Sequence, residues 1–205
     1  MPIHRRTENA IFENGGQACV AISRVIIDEN IFDNFVKKIK IKVKNMYSLK
    51  KLKIQIPATE NQKRKINSAI KHIKSNYSQS LIEVFNMGSK RFTPIFVNCK
   101  NKKNFFLKNE FFFPIVTFEK FRNLNDCINI VNAAGYGLAT YIFSSNKLDT
   151  KNLINRLQSG RIWINCSLKW NPALPVGGYH QSGKGRDMGK FGFRTYLTTK
   201  SLYLG

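Results

Sequence analysis

The sequence predicts an α/β fold, a mainly parallel sheet with flanking helices, and three observations carry that expectation. Short β-branched, apolar runs recur along the chain; stretches with helical periodicity separate most of them; and a long Gly- and Pro-rich segment appears only after the last. Strands that alternate with helices favour parallel pairing joined by crossovers.

The elements follow in order. Ser23 to Ile27 reads as a strand. Asp28 then opens "DENIFDNFVKKIKIKV", where Ile31, Phe32, Phe35, Val36 and Ile39 recur at helical spacing. A second helix begins at Thr59, whose "TENQ" is a capping box with Gln62, and its buried face is Ile66, Ala69, Ile70 and Ile73. Strand-like runs come next at Leu81 to Phe85, Phe92 to Val97 and Ile115 to Phe118. A short helix around Asp126 to Ala133, a strand at Leu138 to Phe143, a helix near Asp149 to Leu157 and the strand "RIWIN", Arg161 to Asn165, continue the rhythm.

Beyond Asn165, "SLKWNPALPVGGYHQSGKGRDMGKFG" has neither period and reads as a long shaped loop, which inside a compact domain is usually functional. The tail "RTYLTTKSLYLG" alternates like a strand and needs a partner for its open edge. We therefore divide the chain into a main domain, 1–190, and a C-terminal oligomerisation strand, 191–205, expected to pair with another subunit or a distant sheet.

Composition bounds the function classes. The 205 residues suit one substantial domain, and 42% hydrophobic content is far from disorder. A net charge of +22 raises nucleic acid as a partner, but the basic residues are spread from Arg5 to Lys200, as drift in composition would leave them. Four widely spaced cysteines without a C-x-x-C pair suit reduced thiols and a cytoplasmic location. The opening "MPIHRRTENA" is followed by no apolar leader core, so no membrane partner is expected. His4, His72 and His180 stand in no ligand-like spacing, so no metal is expected either.

One short stretch stands out chemically. In "NGGQAC", Gly15 and Gly16 permit a sharp turn that presents Cys19, and backbone N–H groups after such a turn can stabilise an oxyanion. Local chemistry leaves two readings open, a nucleophile or a small buried hydrophobe.

"FENGGQACVAISRVII" resembles the active-site segment of the aldehyde dehydrogenase superfamily, which has an Asn-x-Gly-Gln-x-Cys stretch. "NEFFFPIVTF", "NAAGYGLATYIFSSN", and "SGRIWIN" followed by "PVGGYHQSGKGRDMG" resemble further family elements, in the family's order from Phe12 to Gly189. The "PALPVGGYHQSGKGRDMG" stretch is most similar to betaine-aldehyde and aminoaldehyde dehydrogenases.

The resemblance implies oxidation of an aldehyde to a carboxylic acid with NAD or NADP, through a thiohemiacetal and a thioester. It implies Cys19 as nucleophile, Glu110 on the nicotinamide ribose and Phe112 beside the nicotinamide. It places Asn165 near the catalytic centre, with a structural hydrogen-bonding role equally open, and puts Trp170 and Val176 on the aldehyde tunnel. Trp170 could meet a quaternary ammonium through its ring face.

The sequence departs from the family pattern at three points. Phe113 stands where glycine is usual before the proline, so a bulky side chain is expected to intrude on a close backbone approach. His180 replaces a lysine after Gly-Gly-Tyr, and "KNMYSLKKLKIQIPATENQ" lacks a Gly-Asp-Pro turn. In the family the cofactor domain and the glutamate base lie mainly upstream of the cysteine, and only eighteen residues precede Cys19 here. Neither Glu8 nor Glu13 sits in a Glu-x-Gly-Gly element. The expectation is a chain impaired or inactive alone, working as a homo-oligomer or with a complementary cofactor-domain chain. Two alternatives compete with it: a non-catalytic remnant serving assembly, and a basic nucleic-acid-binding module.

Overall fold

The computed structural model describes residues 10–48, 57–77, 81–84, 94–99 and 105–205. Its main sheet has four strands: β1 (Arg24–Asp28), β2 (Leu81–Val84), β3 (Ile95–Asn98) and β4 (Ile115–Phe121), in the order β1-β4-β3-β2. β1 and β3 both run parallel to β4, and β2 pairs antiparallel with β3 through an irregular register. A second sheet holds only β5 (Ala139–Ile142) and β6 (Arg161–Ile164), also parallel. The expected parallel α/β class is therefore what folds, split into two sheets.

The strands are near-continuous apolar runs because both faces of the main sheet are covered. Along β3, Phe96 joins a cluster with Phe32, Ile39 and Val43 of helix α1 (Phe32–Ser48). Its neighbours Ile95 and Val97 point the other way, into a cluster with Ile66, Ala69 and Ile73 of helix α2 (Glu60–Asn76). The period of two in the strand and of three to four in each helix make a three-layer core.

Helix α2 starts where its sequence says. Thr59 Oγ1 accepts from Gln62 N–H at 3.1 Å, and Gln62 Oε1 accepts from Ala58 N–H at 3.2 Å, so the return bond of the box lands one residue early. In α1, Ile31 lies outside the helix and is exposed, while Phe35 and Val36 are half-buried. After a single turn α3 (Phe105–Lys108) come α4 (Leu124–Asn132), capped by Asn123, and α5 (Lys147–Arg156), capped by Asn146. These two helices pack with Ile142 of β5 in a third cluster. Phe85 and Phe92, expected in strands, lie outside the described residues.

The long segment after Asn165 is not wholly irregular. It carries two isolated bridges, Tyr136 with His180 and Val176 with Asp187, and closes on a short helix α6 (Gly189–Arg194). Three glycine motifs meet there: a β-carbon on Gly160 would stand 1.8 Å from the Gly177 carbonyl oxygen, and Gly160 N–H donates to Gly137 C=O at 3.0 Å. Residues 197–205 have no regular secondary structure in this single chain, and Leu202, Tyr203 and Leu204 are exposed.

Candidate active site

The site is built on a left-handed turn. Asn14, Gly15 and Gly16 all have positive φ, at 48°, 66° and 80°, inside a 3-10 turn spanning Glu13–Gly16. Gly15 N–H donates to Phe12 C=O and Gln17 N–H to Asn14 C=O, which closes the turn. Glycine is required at Gly16 on two grounds: its φ, and Pro114, whose Cδ lies 2.7 Å from where a β-carbon would stand. The turn thus rests on the strand entry of β4, and the chain that leaves it presents Cys19 at the surface as a free thiol. Among the described residues no acceptor takes the Cys19 N–H.

Cys19, Glu110 and Phe112 line one cavity of about 750 Å³. Glu110 and Phe112 also border a shallower pocket with Gln17, Gln62 and Lys65. Burial pushes the Glu110 carboxyl above its ordinary range, and the charge of Lys65 pulls it partly back. Phe112 holds a left-handed backbone at φ 48° and keeps its ring partly exposed, while Gln62 Nε2 donates to its carbonyl at 3.3 Å. A partly buried, solvent-accessible carboxylate beside an open aromatic ring fits the ribose and nicotinamide end of a dinucleotide.

Phe113 corrects one expectation. The residue lines the Cys19 cavity, but its side chain is buried in the α2 cluster with Phe111, Ile95 and Ile115. The close approach at this corner is made instead by Gly16 against Pro114.

Three further sequence candidates lie apart from the Cys19 cavity. Asn165 clamps Ser144, its Oδ1 accepting from Ser144 N–H at 3.1 Å and its Nδ2 donating to Ser144 C=O at 2.8 Å. Trp170 has one ring face covered by the Arg161 guanidinium, 4.0 Å from the centroid. Val176 is tied to Asp187 by paired backbone hydrogen bonds of 2.7 Å. The structural alternative left open for Asn165 is the one its contacts describe.

The structure adds Tyr141, which the sequence reading passed over as a strand residue. Its hydroxyl donates to Val20 C=O at 3.0 Å, one residue from Cys19, and its ring stacks on Trp163 at 4.7 Å. Burial, then the charges of Glu13 and Cys19, push its hydroxyl well above the ordinary range, so it stays a neutral donor. Only its alternation in "ATYIF" with an apolar partner strand could have signalled it. Arg24 was missed as well: it pairs with Glu119 at 2.9 Å and donates to Ile130 C=O at 3.0 Å, joining β1, β4 and α4 behind the cavity.

The fold and the site define a class: an α/β domain that presents a free thiol on a left-handed turn beside an acid and an open aromatic ring. The chain belongs to the aldehyde dehydrogenase family, whose family model matches residues 3–202. It is 33% identical over 206 residues to the mitochondrial benzaldehyde dehydrogenase of Antirrhinum majus, a match covering 94% of this chain and 37% of that protein. Identity to aldehyde dehydrogenase [NAD(P)+] 1 of Saccharomyces cerevisiae is 30%, covering 95% and 41%. A betaine aldehyde dehydrogenase from Staphylococcus aureus, solved with NAD+, superposes with a TM-score of 0.83 at 26% identity over 96% of this chain and 42% of that one. The chain spans about two fifths of the length of these relatives.

Proposed function

We propose that this chain is the thiol-bearing part of an NAD(P)-dependent aldehyde dehydrogenase, oxidising an aldehyde to a carboxylic acid. The observation that carries the reading is the convergence of Cys19, Glu110 and Phe112 on one cavity in a chain of this family. The Cys19 thiolate attacks the aldehyde carbonyl, and the Cys19 N–H, with no acceptor of its own, donates to the oxyanion that forms. Loss of hydride from the thiohemiacetal leaves a thioester on Sγ, which water hydrolyses to release the acid. When bound, NAD(P) supplies the hydride acceptor. Glu110 would hold the ribose hydroxyls and Phe112 would pack beside the nicotinamide. Asn165 acts through Ser144, which lines the cavity; Trp170 and Val176 have no part in this reading.

Among the described carboxylates only Asp28, Glu110 and Asp149 reach the cavity wall. Glu110 is committed to the cofactor, Asp28 N-caps a turn at Asn30, and Asp149 sits in the first turn of α5, where the helix N-terminus stabilises its charge. Deacylation by this chain alone is therefore slow, since a positioned general base is worth roughly 10²–10⁴-fold. The base comes from the part of the family's polypeptide that this sequence does not span. Of residues 191–205, the first four lie in helix α6; the remainder, with Tyr196, Leu197, Leu202 and Tyr203 exposed, forms the oligomerisation strand once a second copy pairs with it. Four free thiols suit the reducing cytoplasm, and no helix among the described residues is long and apolar enough to cross a membrane.

The test is reconstitution. The chain mixed with the cofactor-domain part of the Saccharomyces cerevisiae relative should form NADH from benzaldehyde or betaine aldehyde, and Cys19→Ser should abolish it. Failure to form NADH with either aldehyde, or formation that survives Cys19→Ser, rejects the reading.

A further inference from the structure

Arg161 carries a charge that the fold leaves without a counterion. Its side chain is partly buried, yet among the described residues no carboxylate lies within ion-pair distance of it and no group accepts a hydrogen bond from it. Its Nη1 is shut off from water without a partner. The other two partly buried arginines among the described residues differ: Arg24 is matched by Glu119, and Arg186 donates to the carbonyls of Gly178 and Gly185. A buried cationic donor without an acceptor destabilises a fold, and an anion that reaches it removes that cost.

The loop after β6 builds the surroundings. Asn165 and Leu168 take left-handed backbone conformations, at φ 51° and 55°, and the chain folds back so that Trp163 Nε1 donates to Lys169 C=O at 2.9 Å. The guanidinium then lies over two indole rings, 4.0 Å from the centroid of Trp170 and 5.1 Å from that of Trp163. The rings hold its plane without using any N–H, which leaves the fork for a planar, bidentate acceptor such as a carboxylate. The same packing reverses the expectation for Trp170, because a quaternary ammonium on that ring would face a cation already seated there.

This cluster lies outside the Cys19 cavity and adjoins it. Ala139 and Tyr141, the register partners of Arg161 and Trp163, line the cavity, so Arg161 sits one strand, about 4.8 Å, beyond its wall. The Tyr141 ring stacks on Trp163 while its hydroxyl donates to Val20 C=O, next to Cys19. Charges at Arg161 and Cys19 both act on that hydroxyl, in opposite senses.

We propose that Arg161 is an anion subsite that receives the distal carboxylate of the aldehyde attacked at Cys19, which makes ω-carboxy aldehydes the substrate class and disfavours quaternary-ammonium ones. Holding the unreactive end on the guanidinium fixes where the aldehyde carbon meets Sγ. The substrate assignment rests on the thiol reading of Cys19; the anion subsite itself does not.

Trp163 and Trp170 are the only tryptophans in the chain, so indole emission reports the subsite without turnover. Butyrate at up to about 10 mM should change the emission saturably, and choline at equal ionic strength should not. Arg161→Gln should remove the response, and Arg161→Lys, which keeps the charge but loses the fork, should weaken it about tenfold. Two methanethiosulfonates of similar size and opposite charge then connect the subsite to the thiol. The ratio of the sulfonatoethyl to the trimethylammonioethyl rate at Cys19 should fall about tenfold in Arg161→Gln. It should stay unchanged in Lys151→Gln, which removes an exposed charge on α5. No saturable emission change, an equal response to choline, or a response that survives Arg161→Gln overturns the subsite. A ratio unmoved by Arg161→Gln overturns the substrate assignment while Cys19 remains a nucleophile, whereas a Cys19 that neither reagent modifies rejects the thiol reading and the assignment together.

Discussion

Gly16 lies so close beneath Pro114 that a β-carbon there would stand 2.7 Å from the proline Cδ. The contact joins the cysteine turn to the segment that carries Glu110 and Phe112, so the glycine backbone packing against the proline ring ties the two halves of the site together. Gly16→Ala should therefore lower stability by about 1–3 kcal/mol from overpacking alone, with the left-handed φ adding to it. Denaturant midpoints measure this. The comparison variant Gly183→Ala, also at positive φ but with open space around it, isolates the backbone share. Equal losses in the two would show that Pro114 yields freely.

The pair Arg24–Glu119 spans 95 residues and is almost shut off from water, with 14% and 11% of the two side chains exposed. Removing one partner leaves an uncompensated buried charge, which is typically worth about 3–5 kcal/mol. Glu119→Ala should unfold the chain at correspondingly lower denaturant. The double variant Arg24→Met/Glu119→Leu should recover most of the loss, because burying hydrocarbon there costs no desolvation. A double variant as unstable as the single one would mean that the Arg24 bond to Ile130 C=O is the larger contribution.

The four thiols should separate by reactivity. Cys19 is exposed, whereas burial pushes the Cys99 thiol up to about 12 and the Cys127 thiol up to about 11, with Glu119 and Asp126 respectively adding to the rise. Only the thiolate reacts with iodoacetamide. At neutral pH the native chain should label first at Cys19 and last at Cys99 and Cys127, and denaturation should erase the order. Mass spectrometry of timed digests reads it directly, and a Cys19 slower than Cys127 would remove the nucleophile assignment.

These outcomes track how far the sequence could be read. The Thr59 cap, the buried face of α2 and the glycine turn before Cys19 are settled by neighbours within four residues, so pattern exposes them. The division into two sheets is not of that kind: whether β1 and β5 have partners depends on pairing between distant segments. The same holds for Asn165, whose side chain is fixed by Ser144 across the sheet, and for Trp170, whose ring meets Arg161 from a neighbouring strand. Phe113 shows the converse error. A residue type that looks obstructive beside a proline turns its ring into the core, because the left-handed Phe112 before it reverses the chain.

Glu110 gives a pH signature that a solvated surface acid would lack. Its carboxyl is raised chiefly by burial, with Lys65 opposing, so the fold disfavours its ionised form relative to the unfolded chain. The sign follows: the protonated group's contribution is fully present below the unfolded value of about 4.3 and is lost as pH rises through the higher folded value. Glu110→Gln remains neutral throughout. Its urea midpoint should exceed that of the unsubstituted chain near neutral pH, and the two should converge by about pH 4. If instead the unsubstituted chain gains on the variant as pH rises, the Lys65 charge outweighs burial and Glu110 is an ion-pair residue. Cofactor affinity provides the second axis. The same substitution should weaken NAD+ binding in the reconstituted pair by the strength of one or two charge-assisted hydrogen bonds, about 1.5–3 kcal/mol each, with labelling at Cys19 unchanged.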